Sequence, residues 1–264
     1  MKFCISNLAW NKTEENEVLN LISKKIKLLE YAPSLIIKNL SSKKDILEAK
    51  KTWKKRGVSL YSMQSILFDT KDAYIFGNKT QRDNFYKQIK KKIILASVLN
   101  TKIIVFGSPK SKKTFGRKKE ILDKMSFKMF KKISLISEKN KVIFCVEANP
   151  KIYGPKYLTH TIDAINISKK INNKFFKVNL DLSTVISNNE NIDYLLKKYL
   201  NFFEHAQISS PHLVDLLKYK KNIALFLRKL KQYSYKKVVS IETLRAKKNN
   251  LNYIKNIIKL INQK

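Results

Sequence analysis

Four short segments in the second half of the chain bring polar groups onto one face of an otherwise apolar run. Side chains alternate along a strand, so Ile143, Cys145 and Glu147 share a face. So do Asn179 with Asp181, His205 with Gln207 and Ser209, and Val238 with Ser240 and Glu242. One buried carboxylate is explained by a salt bridge. Three that converge, Glu147, Asp181 and Glu242, penalise one another unless something cationic sits between them. A divalent metal is the economical candidate, because carboxylate, carboxamide and imidazole groups suit Mg, Mn, Co or Zn. The corner that decides the chemistry is "FFEHAQISSPHL", Phe202 to Leu213, where His205 is followed two residues later by Gln207.

These residues converge only if the elements carrying them do. Eight strand-like runs occur, at 2–8, 26–32, 58–64, 102–108, 141–148, 175–182, 204–209 and 237–243. Between them lie amphipathic stretches such as "EENEVLNLISKKI", "RDNFYKQIKKKIILASVLN" and "KKEILDKMSFKMFKKISLISEKN", with apolar residues at three- and four-residue steps. The second ends in Asn100, a plausible left-handed cap. Nearly continuous apolar strands, each followed by a helix, mean a parallel sheet covered by helices. Eight such units in 264 residues predict an α/β fold, a single (β/α)8 TIM barrel spanning 1–264. Such barrels do their chemistry at the C-terminal ends of the strands, where the acids stand.

The formal charge of +35 invites a nucleic-acid interpretation. Only five of the 55 basic residues are arginine, while Lys, Asn and Ile are abundant and Gly and Pro stand at five each. That pattern matches the codon drift of an AT-rich coding sequence. A surface selected for phosphate and guanine would retain more arginine, so nucleic acid is not the expected partner. The field would still steer anionic substrates. No apolar run approaches the roughly 20 residues that cross a bilayer, and Cys4 and Cys145 sit in apolar runs as buried thiols, so a cytoplasmic protein is expected. There is no P-loop, GxGxxG, CxxC or GxSxG pattern, which leaves nucleotide, redox and serine-hydrolase chemistry without a foothold.

The chain resembles the xylose-isomerase-like TIM barrels known as sugar phosphate isomerases/epimerases. The likeness covers nearly its whole length, through "ISNLAW" (5–10), "LEYAPSLI" (29–36), "MQSILF" (63–68), "IIVFGSPK" (103–110), "VEANPKIYGPKYL" (146–158), "NLDLSTV" (179–185), "HAQISSPHL" (205–213) and "IET" (241–243). The resemblance implies a metal held by Glu147, Asp181 and Glu242, with Gln207 where the family has the second histidine of an H-x-H pair. Gln207 as a weaker ligand, His205 in its place, and no metal at all remain open. It also implies that Glu147 and Glu242 move a proton next to a carbonyl through a metal-stabilised enediolate, giving epimerisation or isomerisation. Asn7, Trp10, Glu30, Gln64, Lys110 and His212 match substrate-pocket positions, and His160 falls in a helical stretch as a surface residue.

The implied substrate is a small carbohydrate, with or without phosphate, and a homo-oligomer is left open. A barrel that has lost its metal and serves as a binding or scaffold protein is the alternative, and Gln207 is its best support. Trinuclear-zinc endonuclease chemistry of the same superfamily needs more than the three histidines present.

Overall fold

The computed structural model describes residues 1–23 and 25–262. Eight strands, β1 (Lys2–Ser6), β2 (Leu28–Tyr31), β3 (Ser59–Met63), β4 (Ile103–Phe106), β5 (Ile143–Val146), β6 (Phe176–Asp181), β7 (Phe203–Ile208) and β8 (Val238–Ile241), form a closed barrel in chain order. Every pairing is parallel, and β8 closes onto β1. The expected (β/α)8 barrel is therefore present; seven strands lie inside the runs that predicted them, and β7 starts one residue earlier, at Phe203.

Among the described residues ten α-helices surround it. They are α1 (Glu15–Ile22), α2 (Pro33–Ile36), α3 (Lys43–Lys55), α4 (Lys79–Val98), α5 (Lys119–Lys139), α6 (Thr161–Ile171), α7 (Leu182–Ser187), α8 (Ile192–Tyr199), α9 (Lys220–Gln232) and α10 (Asn250–Ile261). Asn78 and Gln81 close a reciprocal cap at the start of α4, and Asn100 takes the left-handed conformation (φ 61°) just beyond its end. Among the described residues no helix is long and apolar enough to cross a membrane.

The outer face of the sheet carries the main core. Phe106, Phe144 and Phe176 stack across β4, β5 and β6 at 5.6 and 5.8 Å between ring centres. Phe130 of α5 meets Phe176 at 5.3 Å. This ladder fixes the three strands whose ends carry Glu147 and Asp181. The inside of the barrel differs. A small apolar group of Ile103, Val105 and Cys145 is joined there by a polar layer of Glu30, Ser62, His205 and Ser240, all buried.

Register irregularities accompany that layer. Leu29 pairs with Leu60 but Glu30 with Ser62, and Val178 pairs with Phe203 but Asn179 with His205. The extra residues on β3 and β7 re-aim the side chains that follow. Beyond the second shift, Asp181, Gln207 and Ser240 lie in one row across three strands.

Candidate active site

The site is built from the carboxyl ends of β4 to β8. Glu147 and Glu242 follow β5 and β8 and keep partial solvent access, whereas Asp181 and Gln207 are buried. Two amides position the Glu147 carboxylate. Asn149 Nδ2 donates to Oε1 at 3.1 Å and Asn179 Nδ2 to Oε2 at 2.9 Å. A lysine lies behind it. Lys112 is fully buried, and its ammonium donates to the Glu147 carbonyl oxygen and, at 2.7 Å, to Asn149 Oδ1. Burial lowers this lysine to about 7, opposed by attraction to Glu147.

The three acids share one electrostatic neighbourhood. Burial pushes Glu147 up to about 8, with repulsion from Asp181 next, while Lys112 pulls it down. Burial pushes Asp181 up to about 6 against its hydrogen bonds. Glu242 is raised well above the usual carboxylate range by burial and then by Glu147, Asp181 and Glu30, with no hydrogen bond to offset them. Both carboxyls are thus shifted towards the protonated form, the direction needed for groups that give as well as take protons.

The donor set does not fit a divalent ion as it stands. Asp181 caps α7, its two oxygens accepting from Ser183 N (3.3 Å), Thr184 N (3.1 Å), Thr184 Oγ1 (3.2 Å) and Ser209 Oγ. Gln207 Oε1 accepts from Asn179, and its Nε2 donates to Glu30 Oε1 at 2.8 Å. Among the described residues no three His, Cys, Asp or Glu side chains stand close enough together to hold a metal. We therefore expect neither EDTA nor millimolar Mg, Mn, Co or Zn to move the melting temperature. A rise of several degrees with any of these ions would mean that Gln207 and Asn179 rearrange around it.

His205 is no substitute ligand in this arrangement. Its Nε2 donates to Glu30 Oε2 at 2.9 Å inside the barrel, and its Nδ1 has no partner. Glu30, expected in the substrate pocket, is completely buried and also accepts from Ser62 Oγ at 2.9 Å. Despite burial its carboxyl sits below the usual range, through attraction to His205 and bonds from His205 and Gln207. It lies in the polar layer inside the barrel, where Ser62, brought opposite it by the bulge on β3, donates to it.

The other pocket positions divide. Asn7 is buried and its Oδ1 accepts from Ala32 N at 3.0 Å, Gln64 donates to Ser6 Oγ, and Trp10 packs in the core at 5% exposure. These three hold loops at the mouth and leave little surface for substrate. Lys110 and His212 are exposed at the rim, with His212 edge-on to Tyr153 at 5.1 Å. His160 is exposed ahead of α6.

Sequence reasoning missed two residues. Lys112 had no distinguishing signal among so many lysines. Gly107 did have one, being among only five glycines and standing directly after β4. A Cβ there would lie 2.7 Å from Glu147 Oε1 and 3.3 Å from its Cδ. The glycine keeps space for the carboxylate. Gly107→Ala is expected to lower turnover about 10- to 100-fold through displacement of Glu147 with a much smaller change in urea midpoint; equal losses would assign the glycine to folding.

A family model described as xylose isomerase-like TIM barrel matches residues 29–263. The chain belongs to this family. Several solved structures share its architecture at low identity. The apo form of 3-keto-D-glucoside 4-epimerase, YcjR, from E. coli superposes with a TM-score of 0.77 at 18% identity, covering 98% of both chains. D-psicose 3-epimerase from Clostridium cellulolyticum H10, solved with D-tagatose, gives 0.71 at 16%, covering 97% of this chain and 89% of its own. The IOLI protein, solved with a zinc atom, gives 0.74 at 15%, covering 99% and 98%. No curated protein matches the sequence. At such identities the likeness establishes the barrel; the chemistry of this family member rests on its own residues.

Proposed function

We propose that this family member is a sugar isomerase or epimerase that moves a proton between carbon and carboxylate next to a carbonyl. The observation carrying this is the pair Glu147 and Glu242. They are the two acids of the site with solvent access, set directly after β5 and β8, and burial raises both carboxyls above the usual range. In its ionised form one takes the proton from the carbon bearing hydroxyl; the C–H electron pair becomes the new C=C bond and the carbonyl π pair moves onto its oxygen, forming an enediol(ate). The other, protonated, returns a proton. Delivery to the opposite face of the same carbon gives an epimer; delivery to the adjacent carbon exchanges aldose and ketose.

Lys112 does not reach the substrate. It orients Asn149 and Glu147 and opposes the upward shift of the Glu147 carboxyl. Lys110 at the rim supplies the exposed cation for an anionic oxygen. The epimerase names of two structural neighbours support a carbohydrate substrate. No step is routed through a metal, because the oxygens of Asp181 and Gln207 are committed to protein donors.

A second reading, a barrel that binds carbohydrate without turnover, is favoured by the commitment of Gln207 to both Asn179 and Glu30. One experiment separates the two. Incubating the protein with a panel of carbon-deuterated aldoses, ketoses and keto-glycosides is expected to release deuterium to water from at least one. Binding with no release from any of them would establish the second reading.

A further inference from the structure

We propose that the sugar handled at the barrel mouth carries a diphosphate-linked aromatic group, as in a nucleoside diphosphate sugar, and that this tail lies in a basic groove beside the mouth. The proposal rests on the reading of the mouth as a sugar site. It adds a separate place for the rest of the substrate.

The groove is a cavity of about 1220 Å³ between the loops after β4 and β5 and the helices α5 and α6, with Tyr74 contributed by the loop after β3. Ligand pockets run from roughly 300 to 1,000 Å³, so the volume exceeds what one monosaccharide fills. Glu147, Asp181 and Glu242 do not line it. It meets the mouth at Lys110 and Tyr153. The Tyr153 hydroxyl bonds Ser183 Oγ at 2.8 Å and accepts from His212 N at 2.9 Å, and Ser183 N in turn donates to Asp181. Tyr153 therefore ties the wall of the groove, through Ser183, to the Asp181 side of the mouth.

The lining matches an anion followed by a flat ring. Lys110, Lys113, Arg117, Lys151, Lys156 and Lys170 face the cavity, and none forms an ion pair among the described residues. The two acids of the wall are already engaged. Asp123 takes Lys119 at 2.7 Å and the Tyr157 hydroxyl at 2.8 Å, while Asp163 accepts from Thr159 N and His160 N, each at 3.0 Å. A concave wall of one free sign focuses field and concentrates anions. Arg117 anchors its Nε on the Phe76 carbonyl at 2.9 Å, which leaves the rest of its planar fork for phosphate oxygens.

The aromatic end is equally specific. Phe115 adopts φ +52°, a conformation costly for a bulky residue, and is 40% exposed, its ring edge-on to Tyr74 at 5.3 Å with the Lys113 ammonium 5.2 Å from its centre. Gly116 follows at φ +71°. An exposed ring held by a strained turn beside cations offers a surface on which a base can stack.

The test measures binding first, without catalysis. UDP and ADP are titrated into the full-length protein by calorimetry at low and high salt, with inorganic phosphate, glucose and a short single-stranded oligonucleotide as comparison ligands. A nucleoside diphosphate is expected to bind at least ten-fold more tightly than phosphate, with Phe115→Ala and Arg117→Ala each weakening it ten-fold or more. Absence of binding, indifference to both variants, or tighter binding of the oligonucleotide would overturn the proposal. Circular dichroism confirms that each variant is folded. Deuterium release from unlinked sugars without nucleotide binding would remove the groove assignment alone. Nucleotide binding sensitive to both variants, with no deuterium release from linked or unlinked sugars, would remove the isomerase reading and leave the groove in place.

Discussion

Glu147→Gln is expected to abolish deuterium release, by about 10²- to 10⁴-fold as for loss of a general acid or base, while making the protein relatively more stable as pH rises. The second effect follows from the raised carboxyl. Glu147 holds its proton up to about 8 in the folded state against 4.5 in the free side chain. Between those values the folded protein binds a proton that the unfolded chain has lost, so wild-type stability from this group is full below about 4.5 and falls as pH rises towards 8. Glutamine does not titrate. The difference in melting temperature between variant and wild type should therefore move in favour of the variant by several degrees from pH 5 to pH 8. A difference independent of pH would show that the carboxyl is ionised throughout. Glu242→Gln should lose turnover likewise, since proton removal and return need both groups. Retention of release by either variant would remove that residue from the mechanism.

Glu30→Ala should have the largest effect on folding. It leaves His205 Nε2, Gln207 Nε2 and Ser62 Oγ without their shared acceptor inside the barrel. Removing one member of a buried charged network costs about 3–5 kcal/mol, measurable as a fall in urea midpoint with unchanged slope. Here the sign with pH is opposite to that of Glu147. The Glu30 carboxyl sits below its ordinary value of 4.5, so its contribution is present above about 4.5 and is lost as pH falls through the folded value. The gap between variant and wild type should narrow in acid. A loss below about 1 kcal/mol at pH 7 would mean that water replaces the carboxylate and that the network does not hold the barrel.

The barrel was legible because its signal is repeated. Each strand is an apolar run between polar helices, and both faces of a parallel barrel are buried. The candidate acids were legible too, because Glu147, Asp181 and Glu242 interrupt apolar faces at the strand ends. Alternation assigns a residue to a face but says nothing of its depth, so Glu30 was placed at the mouth although it lies in the interior layer. Hydrogen-bond direction is equally hidden. Nothing in "HAQIS" tells that the Gln207 amide is held at both ends by residues on β2 and β6. Lys112 and Lys110 are two residues apart and chemically identical in sequence; only the fold makes one a buried prop and the other a rim cation.

That amide also governs which mutational routes are open to the barrel. An imidazole at position 207 that bound a metal would commit its unprotonated nitrogen to the ion, leaving Asn179 with no acceptor there. Acquiring a metal by this route therefore asks for changes at 179 and 207 together, and the two substitutions should be strongly non-additive. The two hydrogen bonds of Gln207 make the single change unfavourable when taken alone.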